Sequence, residues 1–88
     1  MHDVLKDMQV DLETRGLSSN TVSTYVRYAR QFVREIGKPL EEVDRDDLRQ
    51  YLLRLRAQGK RAPTRNMVLA AARFLFCATL RRPEVAAL

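Results

Sequence analysis

The residues with the clearest chemical potential are cations spaced along one segment of the chain. Arg27, Arg30 and Arg34 recur at intervals of three and four residues, and Ser23 precedes Arg27 by four. At about 100° per residue these positions fall on one side of a helix, so we define the four residues as the arginine ridge. Guanidinium groups bind phosphate and guanine through two hydrogen bonds at once, which favours a nucleic-acid partner. The alternative interpretation is an ordinary solvated helix face.

The distribution of charge along the chain supports the same interpretation. The 88 residues include 16 Lys and Arg against 11 Asp and Glu, a formal net charge of +5. Residues 48–83 contain nine basic residues and no Asp or Glu, whereas the first 47 residues contain ten acids and seven bases. A GC-rich genome would favour arginine codons everywhere, but it does not explain this asymmetry. One half of the molecule is therefore expected to face a polyanion.

Side chains that could catalyse a reaction occur singly. Tyr25, Tyr28 and Tyr51 lie within helical segments, and the spacing of Tyr25 and Tyr51 places both on core stripes. His2 stands alone near the terminus, and Cys77 is interpreted as a small apolar residue. The sequence has no glycine-rich phosphate loop, no paired carboxylate site and no zinc-ligand spacing. We therefore expect no catalytic residue, no cofactor and no metal ion in this chain.

Three glycine-containing breaks separate four segments with helical periodicity. The breaks lie at residues 16–19, 37–39 and 59–63. A first helix is predicted over residues 3–15, and Ser18 and Asp44 are suited to cap the second and third helices. Pro63 fits the first turn of the fourth helix, where a missing N–H costs little.

The apolar positions of each helix define the face that should be buried. On helix 2 the inward residues are Val22, Tyr25, Ala29, Phe32, Val33 and Ile36. On helix 3 they are Leu48, Tyr51, Leu52 and Leu55, and on helix 4 they are Val68, Leu69, Ala72, Leu75, Phe76 and Thr79. Met67, Ala71 and Phe74 point elsewhere, so helix 4 is apolar nearly all round. Such a helix is either central to the fold or offers Met67 and Phe74 to a partner.

These segments predict an all-α fold, a compact bundle of four helices with a short fifth turn over residues 84–88. The length of 88 residues indicates one domain. No apolar run approaches the ~20 residues that cross a bilayer, and the polar, acidic N-terminus is unlike a signal peptide. The single cysteine cannot form an intramolecular disulfide. We therefore expect a cytoplasmic protein.

Four short patterns follow one another along the chain. The first is residues 17–25, LSSNTVSTY, followed by Phe32, and the second is residues 43–52, VDRDDLRQYL. The third comprises Thr64, Leu69, Arg73, Leu75 and Phe76, and the fourth comprises Arg82, Pro83, Ala86 and Leu88. In this order and spacing, over nearly the whole chain, they resemble the core-binding domain of tyrosine recombinases, the family of phage integrases and Xer-type enzymes.

Several positions depart from the pattern of that family. Ser19 stands where proline is common, Leu75 replaces the first aromatic residue of a pair, and Arg82 replaces the usual asparagine. Arg61 and Ala62 replace the small polar residue that commonly caps helix 4.

The resemblance implies a SAM-like four-helix domain that forms half of a C-shaped clamp around duplex DNA, with helices 2 and 4 across the major groove. The implied DNA contacts are Ser23, Arg27, Arg30, Arg34, Arg61, Thr64, Arg65, Asn66 and Arg73. Strand cleavage by a tyrosine nucleophile belongs to a separate C-terminal catalytic domain in such recombinases. Residues 1–88 are therefore expected to form a single core-binding domain without catalytic activity. The expected partners are double-stranded DNA, the catalytic domain of the same parent chain, and further copies on DNA.

Two other classes of protein stay open. A helical interaction module would bind another protein through exposed Leu53, Met67 and Phe74, and it would show little salt-sensitive binding to DNA. A helix-turn-helix regulator needs a tight turn of three or four residues between two helices. The breaks around Pro39 and Pro63 are longer than that, so this class ranks third.

Overall fold

The computed structural model describes residues 3–87 as four α-helices with short connections. The helices are α1 (Val4–Thr14), α2 (Ser19–Ile36), α3 (Arg45–Ala57) and α4 (Ala62–Phe74). Shorter turns are a 3-10 helix at Leu40–Glu42, a π-helical turn at Leu75–Thr79 and a 3-10 helix at Pro83–Ala86. Residues 3–87 contain no strand, so the predicted all-α bundle of four helices is confirmed.

Local side-chain hydrogen bonds explain where α2 and α3 begin. The Ser18 hydroxyl accepts the backbone N–H of Thr21 at 3.3 Å. Asp44 and Asp47 cap each other reciprocally: an Asp44 oxygen accepts the Asp47 N–H at 2.9 Å, and an Asp47 oxygen accepts the Asp44 N–H at 3.0 Å. Both predicted N-caps are confirmed, because these carboxylate and hydroxyl groups satisfy N–H groups that have no partner within the helix.

The start of α4 has no such cap. Arg61 occupies the N-cap position in an extended conformation, and its side chain makes no capping hydrogen bond. Pro63 lies in the first turn, as predicted. At the other end of a helix, α2 stops at Gly37, whose φ of 71° lies in the left-handed region that favours glycine.

Phe32 of α2 joins three elements at the centre of the core. Its ring meets Tyr51 of α3 edge-on with 5.0 Å between centroids, and it meets Phe76 in the same manner at 5.9 Å. The buried side chains around it are Met8, Leu12, Val22, Val26, Ala29, Val43, Leu48, Leu55, Val68, Ala71, Ala72, Leu75, Val85 and Ala86. Most of the predicted inward residues are therefore buried.

Within α2 and α4, two buried positions differ from the prediction. Val26 is 7% exposed although it was not among the inward residues, and Ala71 is 1% exposed although it was predicted to point away from the core. The reason is that α2 packs against both α1 and α4, while α4 packs against α2, α3 and the C-terminal turns. Each helix therefore buries a wider arc than a single stripe. This packing also makes α4 the central helix.

The last residues of the predicted helix 4 form a π-helical turn instead of continuing the α-helix. The π-helical turn at Leu75–Thr79 holds more residues per turn than an α-helix, so it rotates the residues that follow. Thr79, predicted to face inward, is half-buried, and its hydroxyl donates a 2.9 Å hydrogen bond to Asp11 of α1. Cys77 is exposed on the same turn.

The C-terminal turn belongs to the core. Val85 is completely buried and Ala86 is 5% exposed. Arg82 donates a 2.7 Å hydrogen bond to the Leu40 carbonyl, and Arg45 donates one of 3.3 Å to the Ala87 carbonyl. The predicted fifth turn is therefore present, while Leu88 lies outside the described residues. No helix within residues 3–87 combines the length and apolar character needed to cross a membrane.

Candidate nucleic-acid interface

All four residues of the arginine ridge lie on the solvent side of α2. Ser23, Arg27, Arg30 and Arg34 are exposed, whereas Val26 and Ala29 between them are buried. A helix that buries one arc and exposes the opposite one produces this arrangement from sequence spacing alone. The ridge therefore presents three guanidinium groups to solvent along one helix.

Arg27 also lines a groove where α2 meets the start of α4. Its guanidinium carbon lies 5.2 Å from the centroid of the Tyr28 ring. We define the Arg27 groove, with a volume of about 220 Å³, by the residues that line it: Arg27, Tyr28, Gln31, Tyr51, Leu55, Lys60, Thr64 and Val68. The structure thus brings one predicted residue of α2 together with Thr64 of α4.

The first turn of α4 adds positive charge beside this groove. Arg61 and Asn66 are exposed, while Thr64 and Arg65 are half-buried. The Arg65 side chain donates a 3.2 Å hydrogen bond to the Lys60 carbonyl, which orients it toward the turn before the helix. No acidic residue occupies the first turn of α4, and no side chain caps it. The unpaired backbone N–H groups and the helix dipole make this end attractive to anions.

Arg73 lies apart from that cluster. It is nine residues beyond Thr64, roughly 14 Å along the axis at the rise of an α-helix. It lines a second groove of about 480 Å³, which we define as the Arg15 groove: Arg15, Tyr25, Ala70, Arg73, Phe74, Cys77 and Ala78. The nine predicted site residues are therefore divided between two ends of α4 and the ridge of α2.

Sequence reasoning missed several residues of these grooves. Tyr28, Gln31 and Lys60 line the Arg27 groove, and Arg15 lines the second. Gln31 lies one turn beyond Arg27, so it could have been found by asking which side of α2 faces another helix. Nothing in the local sequence indicates that Arg15 meets Phe74, because the two are far apart in the chain.

The candidate cations are not neutralised by neighbouring carboxylates. The ion pairs within residues 3–87 are Lys38–Asp47, Arg49–Asp46 and Arg82–Glu84, and none of them involves a predicted site residue. Glu35 could have paired with Arg34, but it accepts a 2.6 Å hydrogen bond from the Tyr51 hydroxyl instead. The ridge therefore keeps its full charge.

The tyrosines have structural positions. Tyr51 is 1% exposed, and burial, together with the hydrogen bond to Glu35, raises the pKa of its hydroxyl. Tyr25 and Tyr28 are half-buried beside α4. No group of three His, Cys, Asp or Glu side chains in the described part of the chain could hold a metal ion. His2 lies outside that part.

The apolar surface proposed for a protein partner is smaller than predicted. Leu53 is 51% exposed, but Met67 and Phe74 are half-buried. Phe74 packs against the core, and the Arg15 guanidinium covers its ring at 5.2 Å. The prediction that all three residues are exposed is wrong, because the packing around α4 covers two of them.

Comparison with known proteins identifies the family. The family model described as "Phage integrase, N-terminal SAM-like domain" matches residues 4–84, so the chain belongs to this family of recombinase N-terminal domains. It is 37% identical over 81 residues to a protein of Sinorhizobium fredii (strain NBRC 101917 / NGR234) named as an integrase/recombinase, covering 91% of this chain and 26% of that protein. It is 39% identical over 77 residues to the tyrosine recombinase XerD of Rhizobium meliloti (strain 1021), covering 80% and 25% respectively.

The chain thus spans about a quarter of the length of the curated relatives it matches. The resemblance to the N-terminal domain of tyrosine recombinases is confirmed, and so is the SAM-like, all-α class. No solved structure matches the chain.

Proposed function

We propose that this domain binds duplex DNA through α2 and α4, as the core-site-binding domain of a site-specific tyrosine recombinase or integrase. One observation carries the proposal: the exposed arginine ridge and the uncapped start of α4 meet at the Arg27 groove, and no carboxylate within residues 3–87 is paired to their cations. A surface with unpaired cations favours binding of a polyanion, and membership of a recombinase family indicates that this polyanion is DNA.

In this proposal most contacts position the domain on the phosphate backbone. Six cations contribute: Arg27, Arg30, Arg34, Arg61, Arg65 and Arg73. If each of these arginines engages one phosphate, the plot of the logarithm of the binding constant against the logarithm of the salt concentration has a slope of roughly −5. Ser23 and Thr64 add hydroxyl contacts to the backbone. The candidates for base contacts are Asn66, because Asn pairs with adenine, and Arg73 if it binds guanine instead of a phosphate.

The wider role follows from the family. Residues 1–88 act as one core-binding domain and form half of a clamp, which the catalytic domain of the same parent chain completes during DNA integration or recombination. Strand cleavage belongs to that catalytic domain, so this domain alone has no catalytic activity. It binds DNA weakly by itself, because the other half of the clamp is needed for tight binding. Further copies associate on DNA, and the protein works in the cytoplasm, where its DNA substrate lies.

A titration of a labelled duplex, followed by fluorescence anisotropy at low salt, tests the proposal. Arg27→Ala/Arg30→Ala should weaken binding strongly. Arg49→Ala/Arg56→Ala is the matched control, because it removes the same charge from exposed positions of α3. Equal losses in both variants would mean that only net charge matters, and this would contradict an interface on α2.

The second candidate function is a helical protein-interaction module, which the exposure of Leu53 favours. It predicts self-association or partner binding that Leu53→Ser abolishes, with no salt-dependent binding to DNA. Sedimentation of wild type and Leu53→Ser separates the two functions, since the DNA-binding proposal expects identical monomers in the absence of DNA.

A further inference from the structure

The Arg15 groove combines two arginines and two aromatic rings at the far end of α4. Arg15 ends α1, and its guanidinium carbon lies 5.2 Å from the centroid of the Phe74 ring. Arg73 lines the same groove from α4, and Tyr25 lines it from α2. Three helices therefore converge on one small, positively charged depression.

Both guanidinium groups remain available to a ligand. Arg15 and Arg73 are exposed, and neither is in an ion pair within residues 3–87. The contact of Arg15 with the Phe74 ring is a cation–π contact, and the Arg15 side chain donates no hydrogen bond within residues 3–87. Its N–H groups can therefore bind an anion.

We infer that Arg15 and Arg73 together hold one phosphate of the DNA backbone at the Arg15 groove, in addition to the contacts at the arginine ridge and the Arg27 groove. This inference rests on the proposed function, since it specifies a further contact of the same interface. Two cations beside one groove, whose described lining residues include no carboxylate, match the charge and the hydrogen-bond donors that bind a phosphodiester.

The spacing along α4 supports a backbone phosphate rather than a free anion. Thr64 and Arg73 are nine residues apart, roughly 14 Å along the axis. The major groove of B-DNA is roughly 12 Å wide. Nine residues at about 100° each also place Thr64 and Arg73 on opposite sides of α4, so a helix seated in that groove would turn the Arg27 groove toward one flanking backbone and the Arg15 groove toward the other.

Salt-dependent binding of a duplex tests the inference. Arg15→Gln should weaken binding roughly eightfold at 0.1 M salt and should lower the magnitude of the log–log slope by about 1. Arg15→Lys keeps the charge and should restore most of that slope. Arg49→Gln, which removes an exposed arginine on α3 paired with Asp46, should leave the slope unchanged. A purely structural role for Arg15 would lower the thermal midpoint without changing the slope.

The outcomes separate this inference from the proposed function. If Arg15→Gln keeps the wild-type slope while Arg27→Ala/Arg30→Ala reduces it, the inference fails and the proposed function stands. If the wild-type domain shows no salt-dependent binding, both fail. Because Arg15 and Arg73 share one phosphate, Arg15→Gln/Arg73→Gln should lose less affinity than the sum of the two single losses.

Cys77 supplies a second readout that needs no variant. It is the single cysteine of the chain, it is exposed, and it lines the Arg15 groove. Saturating duplex should slow its alkylation by a maleimide several-fold, and high salt should restore the rate by releasing the DNA. An alkylation rate unchanged at saturating DNA would overturn the inference.

Discussion

The hydroxyl of Tyr51 donates a 2.6 Å hydrogen bond to the carboxylate of Glu35. This contact links α3 to α2 and directs the Glu35 carboxylate toward Tyr51, about 100° around α2 from Arg34. The ridge consequently keeps its positive charge although Glu35 follows Arg34 directly in the sequence. A single core hydrogen bond thus contributes both to packing and to the surface potential of the candidate interface.

We expect Tyr51→Phe to lower the free energy of unfolding by about 1.5 kcal/mol, because a hydrogen bond to a charged acceptor is lost while the ring still fills its place. Urea denaturation measures this change. Tyr28→Phe is the matched control, since the Tyr28 hydroxyl makes no hydrogen bond within residues 3–87. Equal effects of the two substitutions would contradict a specific role for the contact with Glu35.

The capping box of α3 should make stability depend on acidic pH. Hydrogen bonds from the Asp44 backbone N–H and then from Lys38 hold the pKa of Asp47 below its usual range. A depressed pKa stabilises the fold above roughly pH 4, the ordinary pKa of Asp, and this contribution is lost as the pH falls through the lower value in the folded state.

Asp47→Asn should therefore flatten the acid limb of a plot of Tm against pH between about pH 2 and 5. Asp46→Asn is the control, because the ion pair of Asp46 within residues 3–87 is with exposed Arg49 on the same helix. An unchanged acid limb in Asp47→Asn would contradict this assignment.

The partner of Asp47 acts at alkaline pH. The hydrogen bond to Asp47 raises the pKa of Lys38, so the stability that Lys38 contributes is present below its ordinary pKa and is lost as the pH rises through the raised one.

The C-terminal turn should contribute to stability through Val85. Val85 is completely buried, so Val85→Ala removes two methyl groups from the core. We expect a loss of about 2 kcal/mol in the free energy of unfolding. Leu53→Ala removes more atoms from a side chain that is 51% exposed and should change it by less than about 0.5 kcal/mol. The reverse order in urea denaturation would show that this turn is not part of the core.

Substitution of Arg61 should change the stability of the fold and the affinity for DNA in opposite directions. Arg61 occupies the N-cap position in an extended conformation that Ser would also adopt. Arg61→Ser should raise the free energy of unfolding by about 1 kcal/mol, because its hydroxyl can accept a free N–H of the first turn. The same substitution should weaken DNA binding by removing a cation. A gain in stability without a loss of affinity would remove Arg61 from the proposed interface.

The features that depend on neighbouring residues in the sequence could be predicted. Ser18 and Asp44 cap α2 and α3 as expected, because an N-cap needs only a suitable side chain a few residues from a free N–H. The exposure of the arginine ridge follows in the same way from a period of 3.6 residues. The four-helix class is a consequence of these local patterns.

The features that depend on how helices cross could not be predicted. Ala71 is buried because α4 is surrounded on several sides, and no single stripe shows this. The π-helical turn at Leu75–Thr79 changes the phase of the helix after Phe74. Arg15 meets Phe74 only because α1 packs against α2 and the π-helical turn that follows α4, so the Arg15 groove depends on tertiary structure alone.

The dependence of DNA affinity on salt tests the central claim most directly. Anisotropy titrations of one labelled duplex between about 0.05 and 0.2 M salt give the log–log slope for wild type and for Arg27→Ala/Arg30→Ala. We expect a wild-type slope of roughly −5 and a slope shallower by about 2 in the double variant. Binding that is absent at low salt, or a slope that the double variant leaves unchanged, would contradict the placement of α2 on the DNA backbone.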